Sequence, residues 1–156
     1  MRILFVCSGN ICRSAMAAAY FRHRTRGCAT DELEIDSAGT LNIDGSPASH
    51  EAIEVMREIG IDLVEHRSRG IRAHDVRDAD WIVGMTRGHL AELEQRFPDG
   101  GATRVLLRAF EKRATAESHP SDLEDPMGQP VEFYRRQLPV LTRCLDHLAL
   151  HLGLLR

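Results

Sequence analysis

Short apolar runs and helix-like patterns alternate along this chain of 156 residues. Buried strands are predicted by apolar runs at residues 3–6, 34–36, 81–83 and 105–107. Helices are predicted where apolar side chains recur at helical spacing, at residues 15–24, 49–59, 89–97 and 131–152. Strands that alternate with helices in this way predict an α/β fold around a mostly parallel sheet.

The sequence also marks helix ends and one long loop. Ser49 is a favourable N-cap for the second helix, and Gly60 ends that helix. Pro139 lies inside the last helical pattern, which predicts either a kink or a helix that begins there. Segment 111–130 is charged and lacks strong periodicity, and a loop of that length in a small domain is usually functional.

The most informative segment is V-C-S-G-N-I-C-R-S at residues 6–14, which leads from the first strand into the first helix. Backbone N–H groups in such a loop can point inward and form an anion-binding nest at the helix N-terminus. Gly9 and Asn10 tolerate the unusual backbone angles that a nest needs. Arg13 adds a planar fork for two phosphate oxygens, and the same field favours a nucleophilic thiolate at Cys7. The alternative, a buried cysteine beside a glycine turn, requires neither the asparagine nor the arginine.

A phosphate ester leaves poorly unless its oxygen is protonated, so attack by Cys7 requires a general acid. The long loop offers three carboxylates, Asp122, Glu124 and Asp125. Asp125 precedes Pro126, which favours an extended conformation and stiffens the turn. Spacing alone leaves the choice open, and Asp122 is the second candidate.

Composition and charge narrow the expected partners. The formal net charge of -3 gives no basic excess for binding nucleic acid or an acidic membrane. The apolar run at the N-terminus is too short for a signal peptide, and no stretch approaches a membrane span, so a cytoplasmic location is expected. The four cysteines are then expected to be reduced thiols. We expect a monomer or a weak dimer.

The segment at residues 6–14 resembles the signature of the low-molecular-weight protein tyrosine phosphatases, V-C-x-G-N-x-C-R-S. The resemblance extends over nearly the whole chain, through residues 36–40, 60–62 and 66–69 and the Asp125-Pro126 pair. It implies one domain over residues 1–156, with a four-stranded parallel sheet flanked by helices and a phosphate loop after strand 1. It also implies a phosphatase without metal or cofactor that hydrolyses phosphotyrosine in phosphorylated proteins.

The resemblance further implies roles for individual residues. Cys7 is the nucleophile that forms a phosphocysteine, Arg13 clamps the phosphate, and Asp125 is the acid that later activates water. Ser37 and His66 support the loop, although an ordinary surface histidine is the alternative for His66. The other loop residues bind phosphate, namely Ser8, Gly9, Asn10, Ile11, Cys12 and Ser14.

Cys12 lies in the same loop, five residues after Cys7. A thiolate close to a second thiol is typical of a peroxide-sensitive pair, and the family's pair resembles a reversible protection against overoxidation. A small hydrophobic filler at the start of a helix is the alternative interpretation of Cys12.

Several positions leave the substrate open between phosphotyrosine and phosphoarginine. Met85-Thr86 and the D-P-x-G string at residues 125–128 resemble the protein-arginine phosphatase branch of the family. That branch tends to carry threonine at the position of Ile11, and an apolar β-branched side chain better suits the flat ring of phosphotyrosine. We therefore predict phosphotyrosine as the substrate, with phosphoarginine as the alternative.

Three other hypotheses are less consistent with the residues present. A catalytically degenerate phosphate-binding module would lack the nucleophile or the acid, yet both Cys7 and Asp125 are present. An arsenate reductase would need two more cysteines in mid-chain, where residues 29–143 contain none. A metal site on one face of the last helix is the third hypothesis, but ordinary packing explains that face more simply and no metal is predicted; its residues are Cys144, His147 and His151.

Overall fold

Four parallel strands form the central sheet of the protein. The structure is a computed structural model and describes residues 1–28, 32–111 and 122–155. The strands are β1 (Arg2–Cys7), β2 (Glu34–Gly39), β3 (Trp81–Gly84) and β4 (Thr103–Leu106). Their order across the sheet is β2-β1-β3-β4, and every neighbouring pair is parallel. The predicted four-stranded α/β sheet is thereby confirmed.

Helices connect and cover the strands. They are α1 (Arg13–Arg24), α2 (His50–Glu58), α3 (Ala73–Asp78), α4 (Arg87–Arg96) and α5 (Val131–His151), and a short 3-10 helix (Leu107–Phe110) follows β4. Helix α3 was not predicted from the sequence, because six residues are too few to show a helical period. Pro139 lies inside α5, so the prediction that a helix could begin at that residue is wrong.

The alternating side chains of β1 divide the core between two layers. Ile3 and Phe5 point into the larger cluster, where α1, α2 and α5 cover the sheet. Leu4 and Val6 point into a smaller cluster on the opposite face. Burial of each of these side chains contributes about 1.5–3 kcal/mol, so β1 is stabilised by the layers on both of its faces.

The candidate metal residues on α5 belong to the packing of that helix. Cys144 is fully buried in the larger cluster. His147 Nδ1 donates a hydrogen bond to the carbonyl oxygen of Phe110 at 2.6 Å, and the His151 ring packs edge-on against Trp81. These contacts favour the packing interpretation of the three residues. No helix among the described residues is long and apolar enough to cross a membrane.

The topology places the functional loop at the centre of the sheet's carboxyl edge. β1 and β3 are neighbours although they are not consecutive, and ligands of open parallel sheets bind at such a point. Met85, just after β3, donates its N–H to the carbonyl of Val6 at 3.0 Å and accepts a hydrogen bond from the Leu123 N–H at 2.8 Å. The end of the long loop therefore lies beside the segment that follows β1. The middle of that loop, residues 112–121, falls outside the described residues.

Candidate active site

The loop between β1 and α1 curves around a cavity at the carboxyl end of β1. The cavity is lined from the loop by Cys7, Ser8, Gly9, Ile11, Cys12 and Arg13, and from other segments by Leu41, Ile43, Asp125 and Met127. The side chain of Cys12, the N-cap residue of α1, accepts no hydrogen bond from the first turn of the helix, so the first N–H groups remain available to an anion. The structure thus brings the predicted nucleophile, arginine and acid together in one cavity.

Cys7 lies at the base of this cavity and is only 2% exposed. The backbone N–H of Asn10 donates to its Sγ at 3.3 Å, and Ser14 Oγ lies 2.9 Å from the same sulfur. Asn10 Nδ2 donates to Ser14 Oγ at 2.9 Å, so the serine hydrogen is left to donate to Cys7. Two donors therefore converge on the sulfur, as a thiolate nucleophile and leaving group requires.

Asn10 connects the loop to two other segments. It is fully buried and has a φ of 58°, the left-handed region that asparagine tolerates. Its Nδ2 donates to Ser37 Oγ at 2.9 Å, and its Oδ1 accepts from the Arg69 backbone N–H at 3.1 Å. Gly9 does not share this conformation, so the unusual backbone expected at both residues occurs at Asn10 alone.

The His66 side chain forms a hydrogen bond with the backbone of the same asparagine. Its Nε2 lies 2.6 Å from the Asn10 carbonyl oxygen, which can only accept, so Nε2 carries the hydrogen. Burial lowers the pKa of His66, although the hydrogen bond to Asn10 opposes this shift. The residue is half-buried and in contact with the loop, which does not fit the alternative of an ordinary surface histidine. Both predicted support residues, Ser37 and His66, thus meet the loop at Asn10.

Arg69 is a further support residue that the sequence analysis did not single out. Its guanidinium donates two hydrogen bonds to Asp75, at 2.8 and 3.0 Å, and one to Asp36 at 2.8 Å. These ion pairs fix the segment whose backbone N–H holds the Asn10 side chain. Opposite charges at residues 36, 69 and 75 have no sequence spacing that would reveal this contact.

Arg13 is the first residue of α1 and is 3% exposed. One terminal nitrogen, Nη1, donates to the Leu123 carbonyl oxygen at 3.0 Å. The other, Nη2, lies 3.5 Å from Asp125 Oδ1. The guanidinium plane is therefore fixed at the cavity wall, where its N–H groups can hold a phosphate bidentately.

The two candidate acids have different surroundings. Asp125 lines the cavity with 56% of its side chain exposed, and its Oδ1 accepts the Met127 N–H at 3.2 Å. Asp122 instead accepts from the backbone N–H and from Nε of Arg87, at 2.8 and 3.2 Å. The backbone hydrogen bond from Arg87 lowers the pKa of Asp122, so this carboxyl is less often protonated and is less available as a general acid. The geometry favours Asp125 as the acid.

His89 was not predicted from the sequence as a site residue, and the structure places it beside the loop. His89 is 6% exposed, and its Nε2 lies 2.8 Å from Ser8 Oγ. Its Nδ1 accepts the backbone N–H of Thr86 at 3.1 Å, which completes a capping box at the start of α4. The Thr-x-x-His spacing was the one available signal, because a capping box pairs a threonine with a residue three positions later.

Acidification is expected to destabilise the protein through His89. Burial, followed by the charge of Arg13, lowers the pKa of His89 to about 4, against the smaller opposing effects of Glu92, Asp125 and Asp122. His89 binds a proton near pH 6.5 in the unfolded chain but only at about pH 4 in the folded chain. The contribution of His89 to the free energy of unfolding is therefore complete above pH 6.5 and is lost towards pH 4. It amounts to about 1–3 kcal/mol after allowance for solvent at the ring edge.

Urea unfolding near pH 7 and near about pH 4.5 checks this expectation. The loss on acidification should be smaller in His89→Gln than in the wild type. His23→Gln, which removes an exposed histidine, should match the wild type. Equal losses in the wild type and His89→Gln contradict the assignment.

Cys12 is a buried residue of the loop, and its side chain belongs to a small polar cluster. Its Sγ lies 3.2 Å from Tyr134 OH and 3.4 Å from Ser49 Oγ, and these two oxygens are 3.3 Å apart. Burial raises the pKa of the Cys12 thiol, so Cys12 carries its proton at neutral pH. Tyr134 and Ser49 were not predicted to contact the loop.

The family model for low molecular weight phosphotyrosine protein phosphatase matches residues 2–153 of the chain. The protein belongs to this family. It is 37% identical to low molecular weight protein-tyrosine phosphatase A of Mycobacterium tuberculosis, over 95% of this chain and 89% of that protein. It is 36% identical to the protein-arginine-phosphatase of Geobacillus stearothermophilus, over 95% and 93% of the two chains.

Solved structures agree with this assignment. The low molecular weight protein tyrosine phosphatase from T. tengcongensis has a TM-score of 0.83 and 36% identity, and the match covers 95% of this chain and 97% of that one. The predicted family and fold are therefore confirmed. Tyrosine and arginine phosphatases are similarly close relatives, so membership alone does not determine which phosphorylated side chain this phosphatase prefers.

Proposed function

We propose that this family member hydrolyses phosphotyrosine in proteins through a phosphocysteine intermediate. The observation that carries the proposal is the meeting of Cys7, Arg13 and Asp125 in one cavity, with donors from Asn10 and Ser14 on the sulfur. We further propose that the phosphoryl oxygens are bound by the loop residues Ser8, Gly9, Asn10, Ile11, Cys12 and Ser14, with Ser37 and His66 as supports.

The first step transfers the phosphoryl group to the enzyme. Cys7 Sγ attacks phosphorus, the S–P bond forms, and the bond from phosphorus to the ester oxygen breaks. Asp125 gives its proton to that oxygen as the alcohol leaves. Arg13 and the loop N–H groups hold the equatorial oxygens, where charge is spread in the transition state.

The second step returns the enzyme to its starting state. Water attacks phosphorus, its proton passes to the Asp125 carboxylate, and the S–P bond breaks to release inorganic phosphate. The Ser14 hydroxyl, already 2.9 Å from Cys7 Sγ, donates to the departing thiolate. Apart from the attacking water, every group in the cycle belongs to the loop from Cys7 to Ser14 or is Asp125.

The mouth of the cavity supports phosphotyrosine as the substrate. Its walls are the apolar side chains of Ile11, Leu41, Ile43 and Met127. A flat aromatic ring can pack between such walls, whereas the guanidinium of phosphoarginine carries N–H donors that need acceptors. Among the described lining residues, Asp125 alone carries a carboxylate. Phosphoarginine remains the alternative substrate because the same three catalytic residues would serve it.

A comparison of two phosphopeptides tests the substrate preference. The wild type should hydrolyse para-nitrophenyl phosphate in the presence of a chelator, and kcat/KM for a phosphotyrosine peptide should exceed that for a phosphoarginine peptide by about tenfold or more. Ile11→Thr should narrow this ratio, because it replaces an apolar wall by a hydroxyl. A preference of the wild type for phosphoarginine supports the alternative, and no hydrolysis of any of the three supports a degenerate phosphate-binding module.

We also propose that the chain is a single domain over residues 1–156 that works in the cytoplasm as a monomer or weak dimer. We expect its partners to be phosphorylated proteins, and we expect it to bind neither nucleic acid nor membranes. All four cysteines are free thiols in the structure, which supports a reducing compartment. The net charge of -3 supports protein substrates over polyanionic partners.

Cys12 is expected to make oxidation of the enzyme reversible. Peroxide converts the Cys7 thiolate to a sulfenic acid, and the Cys12 thiol attacks that sulfur, forming a disulfide and releasing water. After peroxide and then dithiothreitol, the wild type should recover most of its activity, whereas Cys12→Ser should recover less than about a fifth. Cys28→Ser, which removes a thiol outside the loop, should recover as the wild type does. Equal recovery in Cys12→Ser contradicts this role.

A further inference from the structure

A buried histidine and a serine form a pair at the edge of the cavity. Ser8 directly follows the nucleophile and lines the cavity, and its Oγ lies 2.8 Å from Nε2 of His89. The two residues are 81 positions apart, and α4 holds His89 against the loop at a depth where the ring is 6% exposed. None of the catalytic steps proposed for Cys7, Arg13 and Asp125 uses His89.

The hydrogen bonds of the His89 ring fix its tautomer. The Thr86 backbone N–H donates to Nδ1 at 3.1 Å, so Nδ1 carries no hydrogen. The hydrogen of a neutral imidazole must then be on Nε2, from which it points to Ser8 Oγ. The Thr86 hydroxyl oxygen accepts the His89 backbone N–H at 3.2 Å and so fixes the start of the helix that carries the ring.

This arrangement determines what the Ser8 hydroxyl can do. Its oxygen accepts from His89, so its single hydrogen is free to donate elsewhere. Among the described residues, His89 is the one hydrogen-bond partner of the Ser8 hydroxyl. The remaining space beside Ser8 is the cavity that it shares with Cys7 and Arg13, where the phosphoryl oxygens would lie.

We propose that His89 is a positioning residue, which turns the Ser8 hydroxyl so that it donates its hydrogen to a phosphoryl oxygen during attack by Cys7. The inference rests on the proposed function. A preoriented donor stabilises charge in the transition state without reorganisation, which is the way an oxyanion hole acts. Without the histidine, the hydroxyl can rotate, and its donation is lost for part of the time.

Two substitutions of His89 separate this role from helix capping. Asparagine places its amide oxygen near the position of Nδ1, so His89→Asn keeps an acceptor for the Thr86 N–H but does not reach Ser8. Glutamine places its amide nitrogen near the position of Nε2, so His89→Gln keeps a donor for Ser8 Oγ. The capping role predicts that asparagine is the better replacement, and the positioning role predicts glutamine.

The experiment measures kcat and KM for para-nitrophenyl phosphate, and the Kd of inorganic phosphate by calorimetry, with thermal melts to confirm folding. Ser8→Ala and His89→Asn should each lower kcat by about 5- to 20-fold, the effect of one hydrogen bond in the transition state. The kcat of the double variant should be no lower than that of the less active single variant, because both changes remove the same donor. His89→Gln should remain within about threefold of the wild type.

Two outcomes overturn the proposal. One is a kcat of His89→Asn that equals that of the wild type or exceeds that of His89→Gln. The other is a double variant in which the two losses multiply, which means that the residues act independently. If the wild type fails to turn over any substrate, the proposed function fails. The wild type, Ser8→Ala, His89→Asn and the double variant are then compared by their Kd for phosphate. Non-additive losses of phosphate affinity then still support the positioning role, and additive losses contradict it.

Discussion

Cys7→Ser is expected to lower kcat for para-nitrophenyl phosphate by a factor of about 10⁴ or more, which would leave no measurable turnover. A serine hydroxyl is nearly all protonated at neutral pH, and the cavity contains no described base in contact with position 7 to activate it. The hydrogen bonds from the Asn10 N–H and with Ser14, at 3.3 and 2.9 Å, stabilise a charged sulfur and give less to a neutral hydroxyl.

The same variant should still bind the product. Serine is close to cysteine in shape, and both the Arg13 fork and the loop N–H groups remain in place. Inorganic phosphate should therefore bind Cys7→Ser with a Kd within about tenfold of the wild type, measured by calorimetry. Cys28→Ser serves as the matched control and should retain full activity. Turnover by Cys7→Ser near the wild-type rate would show that the phosphoryl group is not transferred to this residue.

Much of the fold could be predicted because its signals are local. The run Ile3-Leu4-Phe5-Val6 is buried on both faces of the sheet, so it reads as a strand without any knowledge of its neighbours. The end of β4 was harder to place. Leu107 continues the apolar run, but it is the first residue of a 3-10 helix rather than the last of the strand. Apolar character indicates burial, and the backbone conformation of a buried residue at a strand end depends on the next residues of the chain.

The candidate site divides in the same way. The loop from Cys7 to Ser14 is contiguous, so its residue types and their order are enough to predict a phosphate cavity. The supports that hold the loop lie far away in the chain, and their contacts could not be predicted from spacing. Cys12 meets Tyr134 across 122 residues, and Asn10 meets Arg69 across 59. Such pairs depend on how α5 and the segment before α3 pack on the sheet.

The choice between the two acids also required the structure. Spacing left Asp122 and Asp125 as competing candidates, since both lie in the same polar loop. The contacts of Asp122 with Arg87 stabilise its carboxylate form, whereas Asp125 lines the cavity beside Arg13. A difference of three positions in the sequence thus becomes a difference between an ion pair outside the cavity and a group inside it.

Asp125→Asn is expected to lower kcat for phenyl phosphate by about 10²- to 10³-fold, because phenolate is a poor leaving group without a proton donor. The loss for para-nitrophenyl phosphate should be smaller, since nitrophenolate leaves more readily as an anion. Steady-state rates for a series of aryl phosphates measure this, and the dependence of kcat on the acidity of the leaving phenol should steepen in the variant. Asparagine preserves the acceptor oxygen for the Met127 N–H, so the turn that carries the residue should persist.

Asp122→Asn is the matched control, because it removes the neighbouring carboxylate and leaves the cavity wall intact. Its kcat for phenyl phosphate should stay within about threefold of the wild type, and the leaving-group dependence should not change. The reverse pattern, a steep dependence in Asp122→Asn and none in Asp125→Asn, would assign the acid to Asp122. Equal and shallow effects in both variants would mean that neither carboxyl protonates the leaving group, because an acid that acts in the transition state must lose most when the leaving group is poorest.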